Sequence, residues 1–151
     1  MPRKRPFFRS AAIYEFNARL FINPYARTRD GVRTGMAVLA TASKDDPRDI
    51  GLKLLAMLDK CKDNIPDDYD RGPSPALAVI VKEAKLRSWS AFQKKAISVG
   101  VFQETNGNQI DITPLRRVGG GSTHIDEKIR HCGLDPIEIG TTVLAAMAES
   151  E

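Results

Sequence analysis

His124 and His131 are the two histidines of the chain, and a pair of imidazoles is a common way to hold a general acid and a general base near neutral pH. Both would have to flank one substrate. His124 falls in a Gly-rich connection and His131 in a predicted strand, with no nucleophile pattern beside either. His131 and Cys132 would point to opposite faces of an extended backbone and so cannot chelate one metal; neither a metal nor another cofactor is expected. Ser88, Ser90, Ser98 and Ser122 lack the strand–turn–helix context of a nucleophile elbow. Gly119-Gly120-Gly121-Ser122-Thr123 could offer successive amides to a phosphate. A P-loop, however, needs Lys and then Ser or Thr before a helix, and a dinucleotide loop needs glycines at fixed spacing between strand and helix. No positive feature points to an enzyme.

Charge is more informative. The net charge of +4 hides an uneven distribution: residues 1–44 carry nine Lys/Arg against Glu15 and Asp30, and residues 45–70 carry eight Asp against four Lys/Arg. The acidic run Asp59, Asp63, Asp67, Asp68 and Asp70, with Tyr69 and Arg71, is the candidate recognition surface. Carboxylates spaced along a helix end and a loop can imitate a phosphate chain or pair with a basic groove on a protein. Arg3, Lys4, Arg5 and Arg9 with Phe7 and Phe8 have the composition of a nucleic-acid-binding arm, but no nucleic-acid-binding fold signature accompanies them. Cys61 and Cys132 lie in different predicted elements and are expected to be reduced thiols. No apolar run approaches the roughly 18 residues of a membrane span, and the stretch after the basic start is broken by Arg9, Glu15, Asn17 and Arg19.

The elements that must carry these groups are organised around a repeat. Asp46-Pro-Arg-Asp-Ile-Gly51 returns as Asp135-Pro-Ile-Glu-Ile-Gly140, in each case a capping Asp, a Pro at the first helical position and a carboxylate three residues after the cap. Two amphipathic helices are predicted, the first fading near Asp63, the second closing the chain as a C-terminal amphipathic helix. Gly51 and Gly140 each lower helix propensity by about 1 kcal/mol relative to Ala, and close approach to a sheet is the expected compensation. Residues 1–10 read as a basic tail, and 11–151 as one domain of 42% hydrophobic composition overall. Strands are predicted at Ala12–Phe16 and Leu20–Ile22, the latter ended by Asn23-Pro24, followed by a polar connection from Arg27 to Gly35 and a buried strand at Met36–Thr41. Asn64 to Pro75 reads as a loop, and helical spacing resumes at Ala76, with Ser88 or Ser90 capping a further helix that carries Trp89 and Phe92 into the core. Ile97–Gln103 and Gln109–Thr113 flank Asn106-Gly107, which predicts a hairpin with a type I′ turn, ended by Pro114. A flexible Gly119–Ser122 loop and a strand within Asp126–Cys132 complete a fold of the α+β class, a largely antiparallel β-sheet with flanking helices.

The order of these elements resembles the immunity proteins of bacterial contact-dependent growth inhibition systems, over roughly residues 10–150. Its most specific pieces are Ile112-Thr113-Pro114 at the hairpin exit and Glu138-Ile139-Gly140 near the end. The Pro- and Asp-rich stretch at 64–75 and the Gly-rich loop at 119–122 depart from the family pattern. The resemblance implies a non-enzymatic cytoplasmic protein whose partner is the C-terminal toxin domain of a large secreted effector, often a nuclease. Toxin contacts are then expected from Asp59, Asp63, Asp67, Asp68, Tyr69, Asp70 and Arg71, with the Arg27 to Arg33 stretch as a second face. No membrane partner is expected and nucleic acid is disfavoured. The alternative is a small basic nucleic-acid-binding protein using the N-terminal arm.

Overall fold

Asp46 and Asp135 each accept a hydrogen bond from the amide three residues on, Asp49 N–H at 3.1 Å and Glu138 N–H at 3.0 Å, and so open α1 (Pro47–Leu58) and α4 (Pro136–Ala148). The carboxylates at the third position do not return to the cap amide: Asp49 pairs with Lys53 one turn on, and Glu138 accepts from Gly133 N–H at 3.1 Å. Each helix buries the stripe predicted from its spacing: Ile50, Leu54, Met57 and Leu58 on α1, Ile139, Val143, Ala146 and Met147 on α4. The glycines beside these stripes face the other helix rather than the sheet. A Cβ at Gly51 would lie 2.0 Å from the Pro136 carbonyl oxygen, and one at Gly140 would lie 1.8 Å from that of Pro47. The repeat is thus a reciprocal crossing in which the first turn of each helix lies on the other's glycine, a geometry suited to weak Cα–H···O contacts.

A computed structural model of the chain describes residues 7–66, 75–104, 107–119 and 121–151. The described strands are β1 (Phe8–Phe16), β2 (Arg19–Thr28), β3 (Arg33–Gly35), β4 (Ala40–Ser43), β5 (Lys62–Ile65), β6 (Ile97–Glu104), β7 (Ile110–Val118), β8 (Gly121–His124) and β9 (Arg130–Cys132). They form a sheet of order β3-β2-β1-β6-β7-β8, with β4 and β5 also on β2 and β9 on β7. All pairings are antiparallel except the parallel β2–β5 contact. The α+β class, single domain and largely antiparallel sheet expected from the sequence are observed.

Alternation with a period of two divides the sheet's side chains between two cores. Ala11 and Ile13, Leu20 and Ile22, Val99 and Val101, and Ile110 and Ile112 pack beneath α1 and α4. On the other face Phe16 and Phe21, with Tyr14, meet α2 (Pro75–Glu83) and α3 (Trp89–Gln93) through Ile80, Phe92 and Trp89. Ser88 caps α3 through Ala91 N–H, and Tyr14 meets Trp89 and Phe92 edge-on, both at 5.5 Å, so these rings are core, as their spacing predicted.

Several predicted boundaries move. β1 begins at Phe8, so the last residues of the segment read as a tail belong to the sheet. β2 runs straight through Asn23-Pro24, because there its outer partner changes from β4 to β3 and no ladder demands the missing N–H; Asn23 bridges the gap by donating to the carbonyls of Met36 and Val38. The Arg27–Gly35 connection is a β2–β3 hairpin, and the strand predicted from Met36 starts at Ala40. α1 stops at Leu58 and the chain enters β5. The 97–113 hairpin is present, but its last pair is Gln103–Ile110 and Gly107 has no positive φ, so the connection is longer than a type I′ turn. β7 continues past Pro114, where its partner on the edge away from β6 changes from β9 to β8, and Gly119, at φ 55°, turns the β7–β8 hairpin where a flexible loop was expected. A 3-10 turn at Asp126–Lys128 shortens the last strand to β9.

Candidate functional site

Arg27 and Asp63 form the most sheltered ion pair among the described residues: Nε meets Oδ1 and Nη2 meets Oδ2, both at 2.8 Å, with side-chain exposures of 10% and 23%. This two-bond fork ties β5 to β2 and supports the guanidinium, raising its pKa chiefly through the hydrogen bond to Asp63. Asp63, predicted as a contact for a partner, therefore spends its carboxylate inside the molecule. Asp59 is different. It pairs with Arg9 at 2.9 Å, yet its side chain is 72% exposed, so the pair is a weak surface one that a partner can replace. Asp67, Asp68, Tyr69, Asp70 and Arg71 lie outside the described residues.

The second predicted face, Arg27 to Arg33, is the β2–β3 hairpin. Val32 is exposed at its tip, and Thr28 receives Val32 N–H on its hydroxyl. Arg33 turns inward across the sheet, donating from Nη1 to the Phe8 carbonyl at 2.8 Å and to Ser10 Oγ at 2.7 Å, with its guanidinium 6.0 Å from the Phe102 ring centre. Burial, and then the neighbouring Arg27 charge, depress its pKa. Arg33 separates two hollows on the sheet face not covered by α1 and α4. One, of about 580 Å³, lies between Phe8 and Phe102 with Glu104 and Asp111 on its rim; the other, of about 220 Å³, is bordered by Tyr25, Gly100 and His124. Sequence reading missed this groove, since its residues come from six strands and share only the alternation that puts Ser10, Ala12, Gly100 and Phe102 on one face.

The histidines sit apart in role. His124 on β8 pairs across from Leu115 and lies 5.6 Å from the Phe102 ring; Gly100 leaves room for it, since a Cβ there would stand 3.0 Å from its Nε2. His131 on β9 is exposed and meets Asp111 Oδ1 at 2.6 Å, with Gln109 Nε2 bridging the two at 2.9 and 3.0 Å. Cys132 is buried on the opposite face of the strand, the separation expected of adjacent residues. Cys61 is half-buried, its thiol donating to the Ser10 carbonyl at 3.2 Å, and burial pushes its pKa up, so it is a poor nucleophile. The arrangement offers grooves, exposed charge and an ordered rim, which is the equipment of binding.

No protein-family model matches the chain, and no curated protein matches it in sequence. Among solved structures, it superposes on a protein of unknown function from Neisseria meningitidis with a TM-score of 0.79 at 18% identity, covering 100% of both chains. It also superposes on a chain of the CdiA-CT/CdiI toxin and immunity complex from Yersinia pseudotuberculosis with a TM-score of 0.76 at 15% identity, covering 96% of this chain and 98% of that one. At such identities the likeness is one of fold, and it spans the whole chain.

Proposed function

We propose that this chain is a cytoplasmic immunity protein of a contact-dependent growth inhibition system, a non-enzymatic protein that binds the C-terminal toxin domain of a secreted effector and neutralises it. The observation that carries the reading is the end-to-end fold likeness to a chain of a toxin and immunity complex. The chemistry of the described side chains supports it: the carboxylates and guanidinium groups with sheltered geometry are paired within the fold, and the imidazoles flank no nucleophile. Partner contacts come from the acidic stretch. Asp59 presents its exposed carboxylate, Asp63 anchors the strand that leads onward, and Asp67, Asp68, Tyr69, Asp70 and Arg71 follow. A run of carboxylates suits a toxin domain that binds phosphate, that is, a nuclease.

Co-expression with the toxin domain encoded by the adjacent reading frame tests this directly: the intact chain should restore growth, and continued toxicity at matched expression refutes the proposal. Changing Asp67, Asp68 and Asp70 together to Lys should weaken binding by well over 1 kcal/mol, about tenfold or more in Kd. Unchanged affinity in that variant removes the acidic stretch from the interface while leaving the neutralising role to the growth assay.

A further inference from the structure

Charge separates by layer in this fold. Residues 45–60 and 135–151, which build the α1–α4 side, hold eight carboxylates against Arg48, Lys53 and Lys60. The α2–α3 layer on the opposite side of the sheet is the reverse: Lys82, Lys85, Arg87, Lys94 and Lys95 are all exposed within 14 residues, with Glu83 the one acid among them. Glu83 is engaged by Arg19 at 2.8 Å. Among the described residues, no ion pair joins any of the five cations to a carboxylate.

Cations near helix C-termini ordinarily answer the free carbonyls there. Here other groups already meet those carbonyls. At the end of α2, Leu86 N–H donates to Val81 and Lys85 N–H to Lys82, both at 3.1 Å, with Lys85 itself held at φ 58°, a conformation that favours glycine. At the end of α3, the Arg117 guanidinium reaches in from β7 and donates to Lys94 O at 2.7 Å and Ala96 O at 3.3 Å. Lys94 and Lys95 thus gain a third positive neighbour instead of a local anion. Trp89 and Phe92 fix the layer to Tyr14 beneath, so the charges stand on a rigid base.

The layer also lacks what a protein interface would use. Among the described residues, the exposed large apolar side chains, such as Val32, Ile129 and Ile137, all lie outside residues 75–96, so no anchor is available there to fill a partner's pocket. A phosphodiester backbone needs no such anchor; it needs closely spaced cations that release counterions on contact. From this we infer that the α2–α3 layer binds the sugar–phosphate backbone of a nucleic acid without reading its bases. The inference is independent of toxin neutralisation, and it moves the nucleic-acid surface from the N-terminal arm to a folded layer.

Fluorescence anisotropy of the full chain with labelled duplex DNA, labelled single-stranded RNA and a labelled poly-glutamate peptide tests it across a salt series. Nucleic acid should bind at about 20 mM salt, with log Kd against log salt sloping by about 3 to 4.5 for duplex, as expected for up to five neutralised phosphates. The tighter of the DNA and RNA probes identifies the natural source of the backbone. Lys82→Glu/Lys85→Glu/Arg87→Glu and Lys94→Glu/Lys95→Glu should each lower affinity about tenfold or more and flatten the slope. The neutral pair Lys94→Gln/Lys95→Gln, which asks less of the fold, should act in the same direction. Arg48→Glu/Lys60→Glu on the opposite layer and Arg3→Gln/Lys4→Gln/Arg5→Gln in the arm should leave binding unchanged. Absence of nucleic-acid binding at low salt, loss of binding through the arm variant alone, or preference for poly-glutamate would each overturn the assignment.

Discussion

Replacing Gly51 or Gly140 with Ala should destabilise the protein, although the same change in an ordinary helix stabilises it by about 1 kcal/mol. The added Cβ would stand 2.0 Å from the Pro136 oxygen in one case and 1.8 Å from the Pro47 oxygen in the other, where no Cβ is found closer than 3.0 Å. The obstacle is backbone in the first turn of a capped helix, so it cannot swing aside as a side chain would. The two contacts lie on either side of one crossing, and a tilt that opened the first would drive the second closer. The helices must therefore move apart bodily by about 1 Å, a gap that forfeits a quarter to a half of the dispersion contact along the seam. Ile50, Leu54, Ile139 and Val143, all fully buried, line that seam. Strain and lost packing together amount to about 3 kcal/mol, offset by about 1 kcal/mol of helix propensity, for a net loss near 2 kcal/mol in each single variant. The double variant is the decisive case. One separation relieves both clashes while propensity is gained twice, so its loss should be about 1–2 kcal/mol, where independent sites would give about 4. Urea unfolding of the four proteins, read from midpoints at constant m, measures this cycle. Additive losses, or a single variant more stable than the parent, would refute the reciprocal crossing.

Two further expectations come from the backbone and the aromatic core. The β1–β2 turn is a two-residue loop with Asn17 at φ 51° and Ala18 at φ 61°, so Ala18→Gly should stabilise by about 0.5–1 kcal/mol: relief of a left-handed alanine exceeds the entropy glycine adds to the unfolded chain, and a fall in the thermal midpoint would contradict it. Tyr14 and Tyr25 are half-buried; desolvation raises both phenol pKa values above 10.0, Tyr14 most, so the folded state keeps protons that the unfolded state loses. Their contribution is complete below pH 10 and declines as pH rises above it. In Tyr69→Phe, which leaves these two as the remaining tyrosines, phenolate absorbance should therefore rise only with alkaline unfolding, and early titration of both would show that burial does not hold their protons.

What could be read from the sequence was what local chemistry decides. An Asp before a Pro, with apolar residues at helical spacing, makes a capped helix wherever the chain later puts it, and both copies formed where predicted. That Gly51 meets Pro136 could not be read this way, because the sequence marks a need for close approach without naming the neighbour. The prolines make the same point from the other side. Pro24 and Pro114 are signals that end a strand when its ladder continues, yet each sits where a strand changes partners along one edge, β4 for β3 and β9 for β8, and the missing amide falls in the changeover.

The candidate site divides along the same line. Composition marked 59–71 as acidic, but only the fold assigns Asp63 to Arg27, 36 residues away, and leaves Asp59 exposed. A carboxylate's value to a partner depends on whether its own chain has already taken it, and that is settled by which strands adjoin. The same rule identifies the cations of α2 and α3. The eight carboxylates of residues 45–60 and 135–151 lie across the sheet from them, and the helix carbonyls that would have absorbed their charge are held by Arg117 and by the backbone itself. Surface charge becomes a binding surface when folding separates it from its own neutralisers, so in this protein the two oppositely charged layers, rather than the histidines, are where recognition has to be sought.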